Sequence, residues 1–481
     1  MFTSQLFFFI IFMAVFEAGL AEGPLVPLWR SFLADAGFIA CLCLGLRILA
    51  RCRFQAGISS FPVLIFRTQL ISLLGLLVIC AYFNLKSQLN AWAFMASLEI
   101  LSSFAAAALF LLHMGVVWWA LSPWELNPPG VRARLSFVAP LVFPWFMAAM
   151  IRDVFNLFWA GSRRFWESEA GWIVFLFIFF LLMLIVLPPV MKLWWRCPPL
   201  SGPALLPLRQ ILAASGVKIN KICLWPVLNS RALTAAVLGF IPGLRYLLIT
   251  PALLKHLSPS QLAAVAAHEA GHLHYRHMLI YALLLAGYLL LAYALSEPIN
   301  ALINLGLYGL AATRLGAGFL LTYGSWEILW RILLSLPMLA LLLFYLRFVL
   351  GFFMRQTERQ ADFFALDLMR GPESMIGALE RIAGLSGAGS RSAPSWHHFS
   401  IAQRVEAMRQ AVPGRAAAGQ GRFLGRCLAL LAAVILSVTL LGYVLAGMDL
   451  SGGLRQQALQ RLEITGKEMG LLPVNLPVNA D

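Results

Sequence analysis

The stretch that decides the fold is His268-Glu269-Ala270-Gly271-His272-Leu273-His274-Tyr275-Arg276-His277, which lies directly before a strongly apolar run. His268 and His272 are four residues apart and share one face of an α-helix, so both imidazoles can reach one metal ion. Glu269, beside the first histidine, can then take a proton from a water bound to that metal. The stretch therefore predicts a zinc hydrolase centre next to a membrane-spanning helix.

The composition is that of a membrane protein. Of the 481 residues, 61% are hydrophobic and 12% are charged, and the mean hydropathy is +0.82. Soluble globular proteins carry about twice that share of charged residues, so we expect a lipid bilayer around most of the chain. The net charge of +15 comes from scattered basic residues that flank apolar runs. Basic residues in such positions set the orientation of membrane spans. We therefore predict no nucleic-acid partner.

The cysteines indicate neither a zinc site nor a disulfide framework. They are odd in number, most of them lie in or beside apolar runs, and no pair has C-x-x-C spacing. They are Cys41, Cys43, Cys52, Cys80, Cys197, Cys223 and Cys427. We therefore expect histidine and carboxylate side chains to hold any zinc ion.

Apolar runs long enough to cross a bilayer organise the chain. Residues 1–196 are predicted to be an N-terminal transmembrane region of five or six spans, with a weak candidate at residues 5–21. Its clearer runs lie at 32–50, 68–84, 93–120, 136–158 and 171–191. The remaining predicted regions are a first catalytic part with the zinc helix (197–278), a two-span hairpin (279–353), a second catalytic part (354–426), a last span (427–447) and a polar tail with little structure (448–481).

The charge of the connecting loops predicts an orientation. Residues 355–426 are rich in arginine, whereas residues 297–326 carry only Glu297 and Arg314 as charged side chains. By the positive-inside rule, the two catalytic parts face the cytoplasm. We therefore expect an integral protein of a bacterial inner membrane with a cytoplasmic catalytic domain.

A third zinc ligand is predicted further along, in Thr357-Glu358-Arg359-Gln360-Ala361-Asp362. Glu358 and Asp362 are four residues apart and share a helix face. Glu358 can bind the metal directly, while Asp362 can accept a hydrogen bond from the free ring nitrogen of a ligating histidine and fix its tautomer. The alternative is a solvated acidic pair that forms salt bridges to Arg355 or Arg359.

These ligands also restrict the topology. His268 precedes the apolar run 279–296 and Glu358 follows the run 327–353, so two crossings return the chain to the same side of the membrane. The segment 301–322 is apolar enough to be a third span, but glycines and Arg314 interrupt it. Because a third crossing would separate the ligands, we predict that this segment is interfacial or re-entrant.

The two motifs resemble those of the membrane zinc metallopeptidases (gluzincins) that include the CAAX prenyl endopeptidases and the HtpX-like proteases. The resemblance covers residues 203–410 and includes His277, five residues after the H-E-x-x-H motif, and the E-x-x-A-D motif from Glu358 to Asp362. It implies a mainly α, polytopic fold: a transmembrane helical bundle with a zincin-like α+β catalytic domain that two spans split. The family's leading helix and two of its strands correspond to residues 208–216, 221–225 and 246–250.

The resemblance implies four further site residues. Thr234 to Gly239 corresponds to a substrate-binding strand, with Thr234 where the family has asparagine. The run from His398 to Arg404 resembles the family's His-Pro-x4-Arg segment, although Phe399 replaces the proline. His398 and Arg404 would then lie near the site and steady a tetrahedral oxyanion. His397 competes with His398 for this role, and an interfacial His-His pair is the alternative.

These residues predict an integral-membrane zinc endopeptidase with one Zn²⁺ per chain. Glu269 would take a proton from the zinc-bound water and deliver it to the leaving amine. Peptide or membrane-protein substrates would bind by strand addition, in membrane-protein processing or quality control. The alternative is a non-catalytic transporter or scaffold that keeps the peptidase fold. The complete set of His268, Glu269, His272 and Glu358 argues against this alternative.

Overall fold

The structure is a computed structural model. It describes residues 8–9, 11–13, 15–16, 27–53, 61–92, 94–95, 98–121, 131–159, 161–226, 232–322, 326–386, 391–392 and 398–471. The chain forms two compact units, and each is described by itself. The first unit comprises residues 1–209 and 218–258, and the second comprises residues 210–217 and 259–481.

The first unit begins with helices that follow the predicted apolar runs. They are α1 (Leu28–Arg53), α2 (Phe61–Tyr82), α3 (Leu85–Asn90), α4 (Glu99–Leu121), α5 (Val131–Phe158), α6 (Ser162–Glu167), α7 (Glu169–Ile185) and α8 (Leu187–Trp194). Pro188 and Pro189 lack backbone donors, and the chain bends by 48° between α7 and α8.

Two of these helices contain stretches that are long and apolar enough to cross a membrane, Leu28–Ile48 and Ile100–Leu121, and α7 with α8 is a bent apolar pair that forms either a broken span or a re-entrant loop. Among the described residues this is fewer than the five or six spans predicted. The helix α5 contains two internal prolines and the charged pair Arg152 and Asp153, which lower its apolar character. Part of the candidate segment 5–21 lies outside the described residues. The number of crossings in this region stays a prediction.

A buried polar cluster joins three of these helices. Nε2 of His113 on α4 lies 2.8 and 2.9 Å from the two carboxylate oxygens of Asp35 on α1, and its Nδ1 lies 3.3 Å from the hydroxyl of Ser72 on α2. All three residues are buried. Ionisable side chains are costly inside a membrane unless they are paired, so this contact stabilises the packing of α1 against α4.

We expect His113→Leu to destabilise the protein by about 2–3 kcal/mol, because it leaves the Asp35 carboxylate unpaired between membrane helices. The double variant Asp35→Leu/His113→Leu should recover most of this loss, since no charge remains buried. Thermal unfolding in detergent micelles measures both effects. A double variant as unstable as the single one would show that lost packing, and not the unpaired charge, causes the loss of stability.

The first unit also contains a three-stranded sheet of β1 (Lys221–Leu224), β2 (Ala235–Leu238) and β3 (Tyr246–Ile249). The strand order is β1-β3-β2, with β1 parallel and β2 antiparallel to β3, so β2 lies at an edge. The strands β1 and β3 coincide with the two predicted strands. Helices α9 (Leu205–Ala214) and α10 (Pro251–His256) lie before and after the sheet in the chain.

Both ends of β2 have a local explanation. Thr234 precedes the strand, and its carbonyl oxygen accepts a hydrogen bond of 2.9 Å from the hydroxyl of Thr250. Gly239 follows the strand with a φ of +100°, and a Cβ there would lie 2.1 Å from the carbonyl oxygen of Leu244. A side chain at this position is excluded, so glycine ends the strand for a steric reason.

The second unit is helical in its described residues. Its helices are α11 (Pro259–His274), α12 (His277–Ala311), α13 (Arg314–Thr322), α14 (Trp326–Phe344), a π-helical segment (Tyr345–Leu350), α15 (Gly351–Met369), α16 (Glu373–Ser386), α17 (Ile401–Gln410), α18 (Ala416–Ala446) and α19 (Leu450–Glu468). Its candidate spans are His277–Ala311, Leu336–Met369 and Ala416–Ala446. The last span thus belongs to a helix that begins before residue 427, at Ala416.

Two candidate spans follow His268 in the chain, His277–Ala311 and Leu336–Met369, and the second includes Glu358 and Asp362 in its later part. The helix α12 has 35 residues and is therefore about 52 Å long, which exceeds the hydrocarbon thickness of about 30 Å. Residues 301–311 continue this helix, and residues 314–322 form the short helix α13. The structure thus divides 301–322 between two helices, and its interfacial or re-entrant placement stays a prediction.

The predicted unstructured tail is also wrong for residues 450–468, which form α19. Ala458 and Leu462 of α19 are buried in one cluster with Leu307 and Ala311 of α12. At the start of α19, the carboxylate of Glu297 accepts hydrogen bonds from the backbone N–H and the hydroxyl of Ser451. Residues 472–481 lie outside the described residues.

Candidate metal centre

The two ligand motifs lie on neighbouring helices of the second unit, α11 and α15. Gly271 lets these helices approach closely, because a Cβ there would lie 3.1 Å from the Cα of Ala361 and 3.2 Å from Phe364. Ala264 of α11 and Leu366 of α15 are also buried in one hydrophobic cluster. The close approach brings the carboxylates of α15 to the histidines of α11.

Three side chains converge on one point. Nε2 of His268 lies 3.3 Å from Nε2 of His272, and each ring nitrogen faces one carboxylate oxygen of Glu358, at 3.6 and 3.4 Å respectively. Among the described residues, this is the group of histidine, cysteine and acidic side chains that could hold a metal ion. Ligand atoms about 2.0–2.2 Å from a tetrahedral zinc ion are separated by about 3.3–3.6 Å. The donor set and its spacing therefore fit zinc.

Asp362 lies behind His268. Its Oδ1 is 2.9 Å from Nδ1 of His268, and its two oxygens accept hydrogen bonds of 2.8 and 2.6 Å from Nε and Nη2 of Arg404. Burial opposes a charged imidazole, but the carboxylates of Asp362 and Glu358 outweigh it and raise the pKa of His268 to about 10. Asp362 therefore favours a proton on Nδ1 of His268. Once Nε2 has lost its own proton, it is free to bind a metal.

The alternative of a solvated acidic pair is wrong. Glu358 and Asp362 are buried. Glu358 lies beside His268, His272 and His398, and Asp362 forms an ion pair with Arg404. The guanidinium of Arg359 lies over the ring of Phe399, 4.3 Å from its centroid. Phe399, which replaces the proline of the family segment, thus packs against a residue of α15.

Arg404 and His398 reach the site from α17 and the residues before it. Ser400 and Gln403 form a capping box, in which each side chain accepts a hydrogen bond from the backbone N–H of the other residue. Arg404 lies one residue further along. Burial opposes its charge, but the carboxylate of Asp362 raises the pKa of Arg404 above its usual range. This ion pair was not anticipated, and a role of Arg404 at an oxyanion stays a prediction.

The remaining predicted site residues are distributed as follows. Nδ1 of His398 lies 3.1 Å from Oε2 of Glu358, and the His398 side chain is 43% exposed. Glu269 follows His268 on α11 and is half-buried. Thr234 and Gly239 belong to the first unit and are not part of this cluster. His397 lies outside the described residues.

The resemblance included His277 without giving it a role, and the sequence did not reveal that His277 and Gln360 lie behind His272. Nδ1 of His277 lies 2.8 Å from Nδ1 of His272, and Nε2 of His277 lies 3.0 Å from Oε1 of Gln360. Both are buried. The sequence offered one signal, the position of His277 at the head of an apolar helix, where a polar residue needs a hydrogen-bond partner.

A histidine-histidine-carboxylate cluster in a chain with candidate membrane spans supports a membrane metallopeptidase. Residues 208–412 match the model of Peptidase family M48, which is zinc-dependent. The resemblance of these residues to the membrane zinc metallopeptidases is thereby confirmed. A crystal structure of S. mikatae Ste24p is similar over 80% of this chain and 100% of that chain, at 16% identity and a TM-score of 0.40. No curated protein matches the chain.

Proposed function

We propose that the chain is an integral-membrane zinc endopeptidase with one Zn²⁺ held by His268, His272 and Glu358. The observation that supports this proposal best is the convergence of their ligand atoms at separations suited to a tetrahedral ion. When bound there, zinc would polarise a scissile carbonyl and make a coordinated water more acidic.

The chain's own residues would carry out the proton transfers. Glu269 lies next to His268 on α11, where its carboxylate would take a proton from the attacking water and deliver it to the leaving amine. His398 combines a contact to Glu358 with a partly exposed side chain, so it would reach a bound substrate and donate to an oxyanion. Asp362 would hold His268 in the tautomer that binds zinc.

We propose peptides or membrane proteins as substrates, in membrane-protein processing or quality control. Strand β2 lies at the edge of its sheet, and an extended peptide could add to such an edge through main-chain hydrogen bonds. Thr234 lies directly before this strand and Gly239 directly after it. We further propose that the catalytic part faces the cytoplasm of a bacterial inner membrane, because basic residues concentrate in residues 355–426 and are sparse in residues 297–326.

Zinc content tests the proposal directly. The purified chain in detergent micelles should contain one zinc per chain, and His268→Ala should lose it. A chelator should stop cleavage of fluorescein-labelled casein, and added Zn²⁺ should restore it. A chain without stoichiometric zinc would refute the proposal. A chain that binds zinc but cleaves no casein at any zinc concentration would favour the non-catalytic scaffold.

A further inference from the structure

A row of hydrogen-bonding groups runs back from the proposed metal position. Nε2 of His272 faces that position, its Nδ1 contacts Nδ1 of His277, and Nε2 of His277 contacts the side-chain oxygen of Gln360. His277 has no exposed surface and Gln360 is 3% exposed. The groups therefore satisfy one another inside the protein and not through solvent.

A metal-binding His272 determines where every proton in this row lies. An imidazole that binds through Nε2 carries its proton on Nδ1. Nδ1 of His277 must then accept that proton's hydrogen bond, so His277 carries its own proton on Nε2. The oxygen of Gln360 accepts this second hydrogen bond. The opposite arrangement would direct an N–H of His272 at the metal and prevent binding.

The backbone and a neighbouring helix hold this row in place. In an unbroken helix, a residue five positions after His272 would point about 140° away around the axis. Arg276 instead adopts a left-handed conformation with a φ of 54°, which separates α11 from α12 and lets His277 face His272. On the far side, Gly421 of α18 packs against Gln360, because a Cβ there would lie 3.0 Å from its Nε2.

The two histidine ligands are therefore backed by different chemistry. His268 is backed by the carboxylate of Asp362, which Arg404 pairs. His272 is backed by a neutral imidazole and a neutral amide. A carboxylate makes a ligating histidine more basic, whereas a neutral acceptor orients it without adding a charge. Among the described residues, Asp362 is thus the carboxylate behind the histidine ligands, and the charge of Arg404 balances it.

We propose that His277, together with Gln360, is a positioning residue that fixes the tautomer and ring orientation in which His272 binds zinc. The proposal rests on the zinc endopeptidase function proposed above. His277 acts through Nδ1 of His272, on the side of the ring away from the metal, and takes no part in the bond-breaking steps.

Zinc affinity tests the proposal without reference to activity. His277→Leu removes the acceptor and should weaken zinc binding by about 10–100-fold. In His277→Asn the amide oxygen can occupy the position of Nδ1, so this variant should keep most of the affinity. The matched control is His274→Leu, which changes an exposed histidine on α11 and should leave the affinity unchanged. Competition with a fluorescent chelator in detergent micelles gives each Kd, and the visible spectrum of bound Co²⁺ reports the ligand geometry.

Each result decides the proposal. A folded His277→Leu with wild-type zinc affinity would overturn it, and so would an equal loss in His277→Asn, because packing would then explain the effect. If His277→Leu does not fold, Gln360→Leu and Gln360→Glu replace it: the first removes the outer acceptor and should weaken binding, and the second keeps that acceptor. Equal affinities in these two variants would overturn the proposal. A wild-type chain that binds no zinc would instead refute the proposed function, and the positioning role with it.

Discussion

Glu269→Gln is expected to abolish proteolysis while zinc remains bound. The substitution keeps the volume of the side chain and its ability to hydrogen-bond, but an amide cannot take a proton from the attacking water. General acid–base catalysis contributes about 10²–10⁴-fold to a rate, so casein cleavage should fall by that factor. The ligands His268, His272 and Glu358 are untouched, and metal analysis should still find one zinc per chain.

The matched control for this experiment is Glu406→Gln, the same change at an exposed carboxylate on α17. It should cleave casein like the wild type. Undiminished cleavage by zinc-loaded Glu269→Gln would exclude Glu269 as the base and with it the proposed mechanism. If cleavage is lost as expected, the inactive variant becomes a substrate trap, and proteomic identification of captured proteins would define the substrates.

The ligand set could be predicted from the sequence because its information is local. His268 with His272, and Glu358 with Asp362, each lie four residues apart on a helix, so periodicity alone puts each pair on one face. The number of spans between the two pairs then predicted that both lie on the same side of the membrane and can meet. Gly271 explains why the helices come close enough, but nothing in the sequence indicates which small residue it would pack against.

Apart from Asp362 behind His268, the contacts around the ligands could not be predicted, because they depend on distant parts of the chain. His277 contacts Gln360 across 83 residues, and this requires the left-handed turn at Arg276. The ion pair of Arg404 with Asp362 is likewise visible only in the folded chain, where Asp362 is buried beside α17. Such pairings are tertiary and leave no periodic pattern.

The helix α19 was missed for a different reason. Its sequence is polar on average and contains several glutamine, arginine and glycine residues. This composition indicated an unstructured tail. Leu454, Ala458, Leu462 and Thr465 nevertheless recur at spacings of four, four and three residues, which is the pattern of an amphipathic helix. Ala458, Leu462 and Thr465 are buried. Average hydropathy conceals a narrow apolar face, whereas periodicity reveals it.

Zinc affinity should rise steeply with pH, because zinc must displace a proton from His268. The carboxylates of Asp362 and Glu358 raise the pKa of this imidazole to about 10, so His268 in the metal-free protein is protonated at neutral pH. Below that pKa each pH unit changes the apparent affinity by about tenfold, or about 100-fold between about pH 6 and about pH 8. Chelator competition at several pH values measures the slope, and calorimetry in buffers of different ionisation enthalpy counts the released protons.

The metal-free protein should respond to pH in the opposite direction. A raised pKa in the folded state means that the charged imidazole stabilises the metal-free fold fully below about pH 6.5, and this contribution is lost as the pH rises toward about 10. Asp362→Asn is the control, because it removes the charge behind Nδ1 while His268 remains. Its zinc binding should release about one proton fewer near pH 8 than that of the wild type, and any proton lost from coordinated water cancels in this comparison. Equal proton release by both proteins would mean that the Asp362 carboxylate does not determine the protonation of His268, and that it orients the ring without holding a proton on it.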